Sequence, residues 1–101
     1  MHLAQLFLPI VSTPDASAAE TYRALRATLI DRFGGVTAYT RSPASGAWVE
    51  DGDRVVHDDV IIIEVMTEQL DRAWWRGVAT HLAAAVDQQS IVIRSSRIDM
   101  L

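Results

Sequence analysis

Residues 60–66 read VIIIEVM, a run that is oily on both alternations apart from one carboxylate, Glu64. Successive residues of a strand point to opposite faces. Ile61, Ile63 and Val65 therefore share one face, while Val60, Ile62, Glu64 and Met66 share the other. A strand that meets water on one side alternates apolar with polar residues, and this one does not. The first apolar stretch, LAQLFLPI at 3–10, behaves alike: Ala4, Leu6, Leu8 and Ile10 fall on one side, Leu3, Gln5 and Phe7 on the other. Both stretches are expected to be central strands of a sheet with two apolar faces.

The segments between them supply helices and turns. Ser17 followed by Glu20 matches a capping box, in which each side chain satisfies a backbone N–H at a helix start. Ala18, Tyr22, Leu25, Leu29 and Phe33 then form one helical stripe, and Gly34-Gly35 closes the helix as a C-cap rather than forming a phosphate loop. VTAYTR at 36–41 is a β-branched, alternating strand expected to end at Ser42-Pro43, with SPASG as a loop. AWVE and DRVV are short β-prone runs joined by Asp51-Gly52, a strong local hairpin signal. A second helix is expected over about residues 70–87, with Leu70, Trp74, Trp75, Val78, Leu82, Ala85 and Val86 on its apolar arc. Gly77 interrupts that helix, and the expected reason is a close approach near the tryptophans. SIVIRSSRI at 90–98 is the last strand.

The resulting order is β, α, β, hairpin, β, α, β, the split βαβ or ferredoxin-like arrangement of the α+β class, with an inserted β-arm and one domain over residues 1–101. In that arrangement two helices cover one face of an antiparallel sheet of strand order 4-1-3-2. The other face is left open, and here it is apolar. Contiguous apolar patches mark interfaces or ligand grooves, so a homodimer packed through the helix-free face is expected.

Composition removes several classes of function. The chain of 101 residues has no cysteine, which excludes disulfides, thiol catalysis and thiolate metal sites and accords with a cytoplasmic home. The opening stretch lacks a basic leader before its apolar residues, and no apolar run approaches the roughly 20 residues that span a bilayer. Neither a signal nor a membrane partner is expected. All nine basic residues are arginine, scattered in a chain of net charge −4. Nucleic acid is therefore not an expected partner, and lysine-based catalysis has no residue to use. No nucleotide-loop, zincin or serine-hydrolase motif occurs, and no cofactor is expected.

By strand parity Glu64 shares the helix-free face with Gln5, Phe7, Ile62, Tyr39, Arg41 and Arg94. A carboxylate covered without partners costs several kcal/mol, so Glu64 should find Arg94 or Arg41, or take up a proton. The strand order puts Gln5 between Glu64 and Arg94, which allows a relay across the sheet. Two functions follow. One is a binding or interaction module in which these charges fix the register of the dimer. The other is a small enzyme with Glu64 as acid or base, Tyr39 as donor and the arginines as anion clamps, acting on a small-molecule ligand. Trp48, beside the hairpin, is expected to cover the core edge or dimer seam, with a stacking platform for a ligand as the alternative. A third reading is that the β-arm around Trp48 adds to a different partner protein. His57 and Asp59 could meet a metal, since they point to one side while Asp58 points to the other. Charged residues at the lip of a strand explain the same pattern.

From F33-G-G through the G-x-W hairpin to the acid before the aliphatic strand, the sequence resembles small bacterial proteins of no settled activity, and the resemblance implies a ferredoxin-like fold without catalytic residues to carry over. The layout is also similar to the dimeric α+β barrel group, some of whose members are cofactor-free or haem-handling oxygenases. No proximal-histidine pattern of that group is present here.

Overall fold

Alternation and capping translate directly into the architecture. A computed structural model of the chain describes residues 1–10, 17–49 and 51–101, and all their side chains except those of residues 41–43 and 56–58. The elements run β1 (His2–Pro9), α1 (Ser17–Phe33), β2 (Thr37–Val49), β3 (Val55–Thr67), α2 (Arg72–Ala85) and β4 (Val92–Arg97). The four strands form one antiparallel sheet of order β2-β3-β1-β4, as the element order implies.

Parity decides the core. Ala4, Leu6, Leu8, Ile63 and Val65 point to one side of the sheet and are buried with Leu25 and Leu29 of α1 and Trp75, Leu82 and Ala83 of α2. Full burial of such a side chain contributes about 1.5–3 kcal/mol, and Leu6, Leu8, Leu29, Leu82 and Val65 are all fully buried. Among the described residues none that is polar or charged is buried. The polar chemistry of the chain therefore sits on its surfaces and on the helix-free face.

Both helices are anchored at their ends. Gly34 adopts φ 83°, and its N–H donates to the Ile30 carbonyl at 2.8 Å, closing α1 where a side chain would be strained. The Tyr22 hydroxyl donates to the Pro9 carbonyl at 2.7 Å, tying α1 to the end of β1. At α2 the Asp71 carboxylate accepts from the Trp74 N–H at 3.1 Å, a cap that contributes about 1 kcal/mol. Phe33 stacks on Trp75 at 5.4 Å and meets Trp74 edge-on at 5.4 Å, so the end of one helix packs on the start of the other. Trp75 is buried and Trp74 half-buried, which divides the adjacent tryptophans between core and margin. Helix α2 ends with Asp87 at φ 54°, its N–H directed at the Ala84 carbonyl and the Gln88 N–H at that of Ala83, a Schellman closure built on aspartate.

Several local expectations are corrected. VTAYTR and AWV are not separated by a loop; they are one strand, β2, with an irregularity in which Tyr39 pairs with Ile62 but Ala44 with Val60. The arm is correspondingly the outer half of the β2–β3 hairpin and no separate insertion. Ladder pairing with β3 outweighs the break that proline was expected to cause. The turn is centred one residue later than expected, with Arg54 N–H donating to the Asp51 carbonyl at 3.0 Å and Gly52 at φ 58° in the first central position. Ala85 is exposed while Ala83 is buried, a small rotation of the apolar arc.

Gly77 is corrected too. A Cβ there would meet nothing within 4 Å, so no close approach requires the glycine. Gly77→Ala should raise stability by about 1 kcal/mol, read as a higher urea midpoint at unchanged slope. A lower midpoint would show that the helix needs glycine at this position.

Candidate functional site

One residue from each strand forms a polar chain across the helix-free face. In spatial order these are Arg94 of β4, Gln5 of β1, Glu64 of β3 and Tyr39 of β2. Gln5 stands directly opposite both Glu64 and Arg94, and Tyr39 lies diagonally from Glu64, since Thr37 pairs with Glu64 and Tyr39 with Ile62. Cross-strand neighbours at these spacings lie within side-chain reach.

The hydrogen bonds follow from this register. Arg94 Nε donates to Gln5 Oε1 at 2.9 Å, Gln5 Nε2 donates to Glu64 Oε2 at 2.6 Å, and the Tyr39 hydroxyl donates to Glu64 Oε1 at 3.0 Å. Only one orientation of the Gln5 amide satisfies both neighbours, with its oxygen toward the guanidinium and its nitrogen toward the carboxylate. The amide dipole thus links a cation to an anion that do not touch. Sequence parity placed these groups together, but Glu64 is held by Gln5 and Tyr39, with Arg94 one step removed. Arg41 shares the strand with Tyr39, and its side chain lies outside the described part.

Tyr39 is exposed, and its phenol is pushed above the ordinary 10.0, chiefly because it donates to Glu64 and also because ionising it would set two negative charges side by side. Tyr22, half-buried on the opposite side of the sheet, is pushed up to about 12 by burial.

A cleft of about 590 Å³ opens at the other end of the same face. Phe7, Val60, Val92 and Arg94 form its floor; residues 46–49 of the outer β2 and residues 88–90 after α2 form its rims. The outer half of edge strand β2, beyond the irregularity that follows Tyr39, and the start of β4 thus line opposite sides of one cleft, with Phe7 and Val60 of the two central strands between them. The cleft takes in the expected pocket residues Phe7, Trp48 and Arg94, whereas Gln5, Ile62, Glu64 and Tyr39 lie outside its lining. Trp48 is 43% exposed. Residues 88–90 were not foreseen as site residues; the polar QQS following the helix end was the available signal.

Asp59 is exposed, and its carbonyl accepts from the Ile10 N–H at 2.9 Å. The His57 side chain lies outside the described residues. Among the described residues no group of three potential metal ligands is clustered, and no helix is long and apolar enough to cross a membrane.

No protein-family model and no curated protein matches the chain. Solved structures do. A phage SAM lyase in its apo state is 14% identical at TM-score 0.57, the match covering 94% of this chain and 78% of that one. A phage SAM lyase in complex with S-methyl-5'-thioadenosine is 13% identical at TM-score 0.61, covering 95% and 80%. The periplasmic divalent cation tolerance protein CutA from Archaeoglobus fulgidus is 14% identical at TM-score 0.61, covering 99% and 86%. These neighbours bear out the ferredoxin-like α+β fold, and at this distance the likeness carries the fold alone.

The chain has two tyrosines, so their ionisation can be followed separately by NMR of ring-labelled protein. Tyr22 should titrate near 12 and Tyr39 above 10.0. Both shifts favour the neutral phenol in the folded chain. Their contribution to stability is complete below pH 10.0 and is lost as pH rises through the folded-state values. Glu64→Gln should bring Tyr39 down toward 10.0 and leave Tyr22 unmoved. An unchanged Tyr39 midpoint would mean that the bond to Glu64 is not made in solution.

Proposed function

We propose that this protein is a small homodimeric binding module whose helix-free sheet face is covered by a second copy. The observation that carries this reading is the unequal treatment of the two faces. Both helices pack on one, while on the other Leu3, Phe7, Val60 and Ile62 are only half-buried and Met66 is 50% exposed. Apolar surface of this kind gains by being covered. The relay in its midst is compatible with covering, because both Glu64 oxygens already accept hydrogen bonds and would not be stranded. A cytoplasmic home accords with the cysteine-free composition.

Sedimentation at micromolar concentration should give a species of about twice 11.2 kDa. Met66→Arg, which places a charge opposite Leu3 on the exposed face, should give a folded monomer with unchanged circular dichroism. A solitary parent chain, or a dimer untouched by Met66→Arg, would overturn the proposal.

A second reading is favoured by Tyr39 and Glu64 meeting at 3.0 Å on that face. It is a small enzyme of the dimeric α+β barrel type, with Glu64 as acid or base and Tyr39 as donor. Glu64→Gln separates the two. Weakened self-association with ligand binding unchanged supports the structural relay; lost ligand binding with the dimer intact supports the enzyme.

A further inference from the structure

We infer that the cleft between the outer half of β2 and the turn after α2 binds an aromatic carboxylate, with Arg94 holding the anion and Trp48 covering the ring. The inference stands on one copy of the chain and does not depend on self-association.

Charge comes first. The chain carries 13 acidic against nine basic residues, yet Arg94 is the one charged side chain among the cleft's described lining residues. Among the described residues no carboxylate forms an ion pair with it. Its guanidinium is already set: Nε donates to Gln5 Oε1 at 2.9 Å, and its carbon lies 4.6 Å from the centre of the Phe7 ring. A guanidinium fixed through Nε and stacked on a ring presents its two terminal nitrogens as a planar fork, the shape that takes a carboxylate through paired hydrogen bonds. Holding that geometry before the ligand arrives removes part of the ordering cost of binding.

The rest of the cleft selects the body of the ligand. Val60 and Val92 are apolar walls, and Val92 is 58% exposed. Trp48 offers a partly exposed indole, suited to stacking on a flat ring. Gln88, Gln89 and Ser90 place neutral donors and acceptors at the opposite rim. That rim is positioned by Asp87, whose left-handed backbone is uncommon for a residue with a side chain. One arginine without lysine or a second cation suits a monoanion better than a phosphate ester of higher charge. A volume of about 590 Å³ falls in the ordinary range for small-molecule pockets.

The test uses 2-naphthoate as the probe and neutral 2-naphthamide as its control, titrated against the full chain. Calorimetry reads affinity, and the three indole N–H signals of nitrogen-labelled tryptophan read location. Naphthoate should shift the Trp48 signal, assigned through Trp48→Phe, and leave Trp74 and Trp75 in place. Naphthamide should bind about tenfold more weakly or worse, and Arg94→Gln should cost naphthoate a similar factor. Because Arg94 also belongs to the relay, Gln89→Glu provides a variant away from it: a negative charge at the rim should weaken naphthoate severalfold and naphthamide little. Equal affinity for the two probes, full affinity in Arg94→Gln, or a response confined to Trp74 and Trp75 would each overturn the site. A cleft filled by the second copy would show no Trp48 response at all, and would overturn it equally.

Discussion

A β-strand sends alternate side chains to opposite faces, and two helices joined to a four-stranded sheet in this order can shelter only one of them. Every later feature depends on that constraint. The sheltered face is apolar at its centre, from Ala4 and Leu6 through Ile63 and Val65, and holds the helices chiefly by burial, with the Tyr22 hydroxyl tying α1 to Pro9. No polar residue among those described is buried there. The other face inherits the leftover positions of the same strands, which are mixed: Leu3 and Phe7 around Gln5, Ile62 and Met66 around Glu64. Charge placed on the sheltered side would have met several kcal/mol of desolvation with no partner. On the open side it meets water, its neighbours or a ligand.

Gln5 makes that mixed face workable. Arg94 and Glu64 stand on strands separated by β1, and each charge left alone would be costly to cover. A carboxamide is the side chain that can accept from one and donate to the other at once. Leucine in its place would break both bonds, and glutamate would put a second carboxylate beside Glu64. Tyr39 then occupies the remaining Glu64 oxygen from the opposite side, and its phenol is pushed up chiefly by that hydrogen bond and then by the carboxylate's charge.

Strand parity and element order were legible because they depend only on period and sequence position. The sheet order, the core list and the gathering of Gln5, Glu64, Tyr39 and Arg94 all follow from them. What was not legible depends on distance between segments far apart in the chain. Pro43 looked like the end of a strand, since nothing local shows that a long β3 waits to pair with residues on both sides of it. The irregularity within this pairing sets where Trp48 stands along β3, and no periodicity encodes it. Gly77 was given a packing role that open space denies. For Glu64, charge points to a direct arginine partner, while strand order allows a relay through Gln5, and it is the relay that the register makes.

Arg94 is where the two halves of the open face meet. Its Nε belongs to the relay and the residue also lines the cleft, so a ligand held there by Arg94 would act on the same guanidinium that orients Gln5. An anion drawn to that fork competes for the positive charge that now polarises the Gln5 amide toward Glu64. On that proposal relay and cleft are coupled through one side chain. The coupling is reciprocal, as any linkage between two binding equilibria must be. A face that associates with a second copy around Glu64 and holds a ligand beside Trp48 would have its two affinities tied together at Arg94. Such a tie belongs to side chains and not to the fold. It arises from four side chains that this sequence places in one row.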